Sequence, residues 1–139
     1  MECAFCSYNM NIEPQRIVYE DENYIAFVAR EPIVNGHCII ITKDHVEFVS
    51  QIDDIKRFFT LVSYLSQSIK DVVRANHIKL ETRYGNDNMK IKHFHLHLIP
   101  AYLNDADAKD AEKIHNADER IPENLRKSRW YDTLNKYSE

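Results

Sequence analysis

Three histidines occupy alternate positions in the run His93-Phe94-His95-Leu96-His97-Leu98-Ile99-Pro100. Successive side chains of a strand point to opposite faces, so His93, His95 and His97 are expected on one face and Phe94, Leu96 and Leu98 on the other. Same-face neighbours along a strand stand roughly 6.5–7 Å apart, close enough for several imidazoles to surround one polar group. Two chemistries suit this arrangement. Neutral imidazoles can hold a transition metal. Alternatively, one ring attacks phosphorus while a protonated neighbour balances the charge on the phosphoryl oxygens. The plain reading, a solvated polar face, sits poorly with unbroken alternation of one residue type over a fully apolar opposite face.

The elements that must hold this strand can be read from the surrounding pattern. Segments 16–20 and 24–28 are rich in β-branched and aromatic residues, and Asp21-Glu22-Asn23 between them is turn chemistry, which predicts a hairpin. A loop carrying Pro32 and Gly36 leads to a short apolar run, 37–42, expected to be a buried strand. Asp53 is expected to cap a helix whose apolar residues, from Ile55 and Phe58 to Ile69 and Val73, recur at spacings of three and four and stop near Asn76. Segments 77–85 and 92–100 are expected strands. This order predicts an α+β domain, a mostly antiparallel five-stranded sheet with one long helix, over residues 1–103. Residues 104–139 are expected to form a C-terminal helical extension, packed on that domain or on a dimer partner. There Pro122 opens a helix bearing Trp130, Tyr131, Leu134 and Tyr137.

Bulk properties narrow the function classes. A chain of 139 residues with 44% hydrophobic content fits one domain with a real core. The net charge of -4 argues against broad nucleic-acid binding. No apolar run approaches the ~20 residues of a membrane span, so no membrane partner is expected. The first residues lack the pattern of a signal peptide, and a cytoplasmic location is expected. Three cysteines then imply thiols rather than a disulfide framework. Cys38 is expected in the core, whereas Cys3-x-x-Cys6 is half of a tetrahedral zinc set.

The segment 93–99 resembles the His-x-His-x-His-x-x signature of the histidine triad family. Gly36-His37, the apolar run 38–41 and Lys43-Asp44-His45 are similar to that family's Gly-His, apolar strand and Pro-Lys-x-His stretch, with Thr42 in place of proline. Cys3-Ala4-Phe5-Cys6 resembles the opening of its bacterial branches. The similarity runs in order through residues 1–103. It implies the histidine triad fold, a homodimer and a purine nucleotide substrate. The implied activity is a hydrolase or transferase acting on the α-phosphate of a nucleoside phosphoramidate, a dinucleoside polyphosphate or a nucleotide sugar, through a covalent nucleotidyl-histidine. His95 would be the nucleophile, His97 would contact the phosphate and assist the leaving group, and His37 would complete the phosphate environment. Phe27 and Ile39, with residues near Tyr8 and Ile12, would form an apolar base pocket. Asn86, in a Gly-Asn pair similar to that of another branch, would join His97 at the substrate. Cys3, Cys6, His45 and His93 would hold one structural zinc.

Besides Thr42, one position and one loop depart from the family pattern. The phosphoramidase branch carries an acidic residue that binds ribose where this chain has Ala29. The loop that often reads Gly-Gln-Thr/Ser-Val is Asn88-Met89-Lys90-Ile91 here. These departures motivate an alternative, a catalytically weak nucleotide- or zinc-binding interaction module of the same fold. The joint presence of His37, His95 and His97 favours the enzyme. A third reading makes the three triad histidines ligands of a catalytic metal.

Overall fold

The computed structural model describes residues 12–82, 93–103 and 118–127. Strands β1 (Ile17–Glu20) and β2 (Tyr24–Val28) form the expected antiparallel hairpin. Its turn is fixed by Asp21. Oδ1 accepts from the amides of Asn23 and Tyr24 at 2.7 and 2.8 Å. Oδ2 accepts from the Tyr19 hydroxyl at 2.6 Å and from Arg57 at 3.2 Å. One carboxylate thus shapes the turn and ties it to the helix that follows.

Strand β3 (Cys38–Thr42) pairs with β2 along its whole length, from Tyr24 opposite Thr42 to Val28 opposite Cys38. Every residue of both strands is buried, which explains their continuous apolar character. Helix α1 (Ile55–Val73) then crosses to β4 (His77–Glu81), and β5 (His95–Ala101) inserts between β3 and β4. The sheet order is β1-β2-β3-β5-β4 and every pairing is antiparallel. The domain is α+β, as expected.

Several boundaries differ from the sequence reading. The helix cap is Asp54, not Asp53, because the Asp54 carboxylate is the one placed to accept from the Arg57 amide, at 3.0 Å. The helix stops at Val73, short of Asn76, where Arg74 takes a left-handed conformation with φ 60° and the Ala75 amide turns back to Lys70 O. Strand β5 starts at His95 rather than Lys92, since the Phe94 amide is drawn out of the ladder to Val46 O at 2.6 Å. The ladder of β4 ends at Glu81, and residues 83–92 lie outside the described residues. Pro100 is tolerated inside β5 because β3 stops pairing at Leu98, leaving no partner there that needs the missing N–H.

The core lies between the sheet and α1. Phe58, Leu61, Leu65 and Ile69 are fully buried against Ile40, Phe94, Leu96 and Leu98. Each such side chain contributes about 1.5–3 kcal/mol by leaving water. Phe58 meets Tyr24 and Phe94 edge-on, whereas its neighbour Phe59 stays 42% exposed. Helix α2 (Arg120–Lys127) starts two residues before Pro122, which sits in the first turn where its missing N–H costs nothing. Ile121 and Leu125 of α2 insert into the same core as α1. Trp130, Tyr131, Leu134 and Tyr137 lie outside the described residues. No helix among the described residues is long and apolar enough to cross a membrane. The opposite sheet face carries a smaller apolar cluster of Ile12, Ile25, Phe27, Ala29, Ile39 and Ile41.

Candidate active site

The register of the sheet brings His95 and His97 onto that smaller face. His97 is opposite Ile39, and His95 is opposite Ile41. Phe27, in turn, is opposite Ile39. The two rings stand 5.3 Å apart between centroids, nearly perpendicular. His37 approaches from the start of β3, where Gly36 has φ +89° and leaves no room for a side chain: a Cβ would lie 2.9 Å from Val73 and 3.1 Å from Pro100. This tight passage fixes where the His37 ring enters.

The hydrogen bonds permit one proton assignment for neutral rings. The Ile33 amide donates to His37 Nδ1 at 3.1 Å, so the His37 proton is on Nε2. That Nε2 donates to Nδ1 of His97, 2.9 Å away, which places the His97 proton on its own Nε2. His95 Nδ1 lies 2.8 Å from the His93 carbonyl, which can only accept. The proton of His95 is therefore on Nδ1 and its lone pair on Nε2. The Thr82 hydroxyl donates to His95 O at 2.7 Å and fixes the strand at this point. His37 is neutral: burial, then the neighbouring His97, pushes its pKa down from 6.5 to about 4, opposed by Glu81.

His93 precedes β5, is fully buried, and donates from Nε2 to Thr42 O at 2.7 Å. Its ring meets His45 edge-on with centroids 5.1 Å apart. Burial lowers its pKa and keeps it neutral, with the lone pair on Nδ1. A neutral ring whose other nitrogen is held by a backbone carbonyl is what a metal-ligating histidine requires. His45 and His93 thus fit half of a four-ligand set; Cys3 and Cys6 lie outside the described residues. Among the described residues no three side chains gather as a metal-binding group, and this holds for His93, His95 and His97 together.

Phe27 and Ile39 are 1% and 9% exposed, and Ile39 separates Phe27 from His97 across the sheet. Asn86 and Tyr8 lie outside the described residues. Ala29 is buried, its amide donating to His37 O, and Glu31 is exposed. Cys38 is a core residue, its thiol pushed up to about 12 by burial. Sequence reasoning missed Arg16. Its buried guanidinium donates to Val28 O, pairs with Glu13 at 2.7 Å and stacks 5.5 Å over the Phe27 ring. A charged residue at a strand start gives no signal of such a role. The Ile33 amide was equally invisible, being backbone.

The family described as HIT domain matches residues 11–104. A curated relative, Protein hit of Bacillus subtilis (strain 168), is 32% identical over 128 residues, 88% of this chain and 86% of that protein. Among solved structures, a hypothetical histidine triad nucleotide-binding protein of Sulfolobus tokodaii strain7 superposes with TM-score 0.67 at 28% identity, covering 98% of this chain and 94% of that one. A zinc-bound histidine triad family protein of Mycobacterium smegmatis superposes with TM-score 0.65 at 21% identity, covering 99% and 96%. That last likeness shows the fold alone.

Proposed function

The chain belongs to the histidine triad (HIT) family, and from that premise we propose that it is a nucleotidyl hydrolase or transferase using His95 as nucleophile. The observation that carries this reading is the direction of the proton chain. Ile33 N–H, His37 and His97 are linked so that His97 presents an N–H, while the His93 carbonyl leaves the lone pair of His95 on Nε2. A donor and a nucleophile on adjacent rings are the two groups that phosphoryl substitution needs.

In the proposed reaction, His95 Nε2 forms a bond to the α-phosphorus of a purine nucleotide. The bond to the leaving group breaks, and the leaving group takes the electron pair. His97 Nε2–H donates to the phosphoryl oxygen or to the departing atom. Water then attacks phosphorus, the P–N bond breaks, and His95 is regenerated with release of the mononucleotide. Phe27 and Ile39 form the apolar floor for the base, and Asn86 is proposed as a further substrate contact.

Cys3, Cys6, His45 and His93 are proposed to hold one structural zinc, a closed four-ligand set that would anchor the chain start beside β5. A homodimer is proposed to cover the exposed Phe59 and Tyr64 of α1. The proposed setting is the cytoplasm.

The test uses adenosine 5′-phosphoramidates and dinucleoside polyphosphates with wild type, His95→Ala and His95→Asn. Wild type should release mononucleotide and, on acid-free quenching, show a nucleotidyl adduct by intact mass. Both variants should lose turnover and adduct while still binding nucleotide. Turnover near wild type in either variant excludes His95 as nucleophile. Binding without turnover in wild type favours the interaction module.

A further inference from the structure

Strand β4 brings an acidic side chain beside the reacting rings. Glu81 is the direct cross-strand partner of His97. Directly opposed residues of an antiparallel pair share a face, with Cβ atoms about 4.5–5.5 Å apart. Glu81 therefore stands beside His97 on the face that also holds His95. Its charge reaches across the site, where it favours the protonated form of His37. The basic residues of the same strand face are farther off: Lys79 is opposite Ile99 and His77 is opposite Ala101, one and two strand repeats of roughly 7 Å away. On the other flank of His97 the sheet is apolar, with Ile39 and then Phe27. Among the described residues, the β2 and β3 flank is apolar apart from the Arg16–Glu13 pair over Phe27, and the β4 flank sets Glu81 directly beside His97.

We infer that Glu81 selects the leaving group, favouring a neutral or cationic amine and disfavouring polyphosphate. The inference rests on the nucleotidyl-transfer reading. With the base on the apolar flank and phosphorus at His95 and His97, the rest of the substrate extends toward β4. For a phosphoramidate, the P–N bond to the amine breaks, nitrogen keeps the electron pair, and it takes the His97 Nε2 proton as it leaves, a proton that the attacking water gives back to His97 in the second step. A protonated side arm on that amine is attracted to Glu81. A polyphosphate brings several negative charges to the same carboxylate. At about 7–8 Å and a surface permittivity of about 40–60, one charge pair alters a rate by roughly three- to tenfold.

The experiment compares kcat/KM of wild type, Glu81→Gln and Glu81→Lys on three substrates. These are an adenosine phosphoramidate with an aminoethyl arm, its uncharged ethyl counterpart, and diadenosine tetraphosphate. Wild type should rank them cationic, neutral, polyphosphate. Glu81→Gln should shrink the cationic-to-neutral ratio by roughly three- to tenfold and the cationic-to-polyphosphate ratio by more, and Glu81→Lys should shrink both further. High salt should move the wild-type ratio toward that of Glu81→Gln. Equal ratios in all three proteins, each turning over, overturn the inference and leave the hydrolase reading standing. An equal loss on all three substrates also overturns it, because it marks a merely structural side chain. Wild type inert toward all three removes the hydrolase reading and this inference with it.

Discussion

His37 donates its Nε2–H to Nδ1 of His97 across 2.9 Å, and the Ile33 amide on its far nitrogen makes that direction the only one available. His37 is thus a positioning residue, since it acts on substrate through the tautomer of His97. His37→Ala should lower kcat by about 10²-fold, the lower end of what a positioned proton-transfer group contributes, with a smaller change in KM. His37→Gln, whose amide can still donate toward His97, should recover part of the loss. Steady-state kinetics of the two variants decides the point; equal losses in both count against the tautomer argument.

Acid should destabilise the fold through the same ring. His37 has a pKa of about 4 when folded, against an ordinary value of 6.5, because burial and His97 disfavour its charge. Between those values the unfolded chain binds a proton that the folded chain refuses. The contribution is complete above the higher value and is lost as pH falls toward the lower one. Melting temperature should therefore drop across this window, and His37→Gln should flatten the drop. Some slope should persist, since burial also lowers His93.

Gly36→Ala should damage a site it does not touch. The new Cβ would sit 2.9 Å from Val73 and 3.1 Å from Pro100, at φ +89°. The expected cost is about 1–3 kcal/mol in denaturant unfolding, with a loss of kcat exceeding that of a comparably destabilised core variant, because His37 is the next residue. Activity that merely tracks stability would show that the passage does not position His37.

Metal content tests the anchor at His45 and His93. Protein purified without added metal should carry about one zinc per chain, the stoichiometry of a four-ligand site. Chelation should lower the melting temperature more than the initial rate at room temperature. His45→Ala should lose the metal while the His37–His97 bond persists. Unchanged stability of metal-free protein would remove the zinc assignment.

The tail contributes to the core, as Ile121 and Leu125 show by their burial at 0% and 2% exposure. Ile121→Ala should destabilise by about 2–5 kcal/mol, the range for emptying a buried aliphatic site, as read by denaturant midpoint. A change near zero would mean that α2 is not held against α1 in solution. Removing everything after Asn104 is accordingly a poor probe of substrate choice, because it also uncovers α1.

The hairpin, β3 and α1 were legible because their burial follows local periodicity: five consecutive buried residues in β2 and β3, and Phe58, Leu61, Leu65 and Ile69 along one helix stripe. His95 and His97 were legible for the same reason. The start of β5 was not legible, because the alternating pattern continues back through His93, whereas a distant carbonyl, Val46 O, takes the Phe94 amide and the ladder begins at His95. Glu81 and Arg16 could not be read at all. Their roles depend on cross-strand register and on a ring reached only after folding, and neither leaves a periodic trace in the chain.

One edge of the sheet, β4, has no strand beside it among the described residues, and Leu80 there is 50% exposed. A newly made chain must pass through dilute solution with this row of backbone donors and acceptors in water. Its safeguards are brevity, only five residues, and the alternation of Lys79 and Glu81 with Ile78 and Leu80. Such an edge can accept one well-matched strand but is too short and too charged to template an open-ended stack. The carboxylate inferred to choose substrates would on this account also help to keep the protein from aggregating, so a variant that discards both Lys79 and Glu81 would test colloidal stability as much as catalysis.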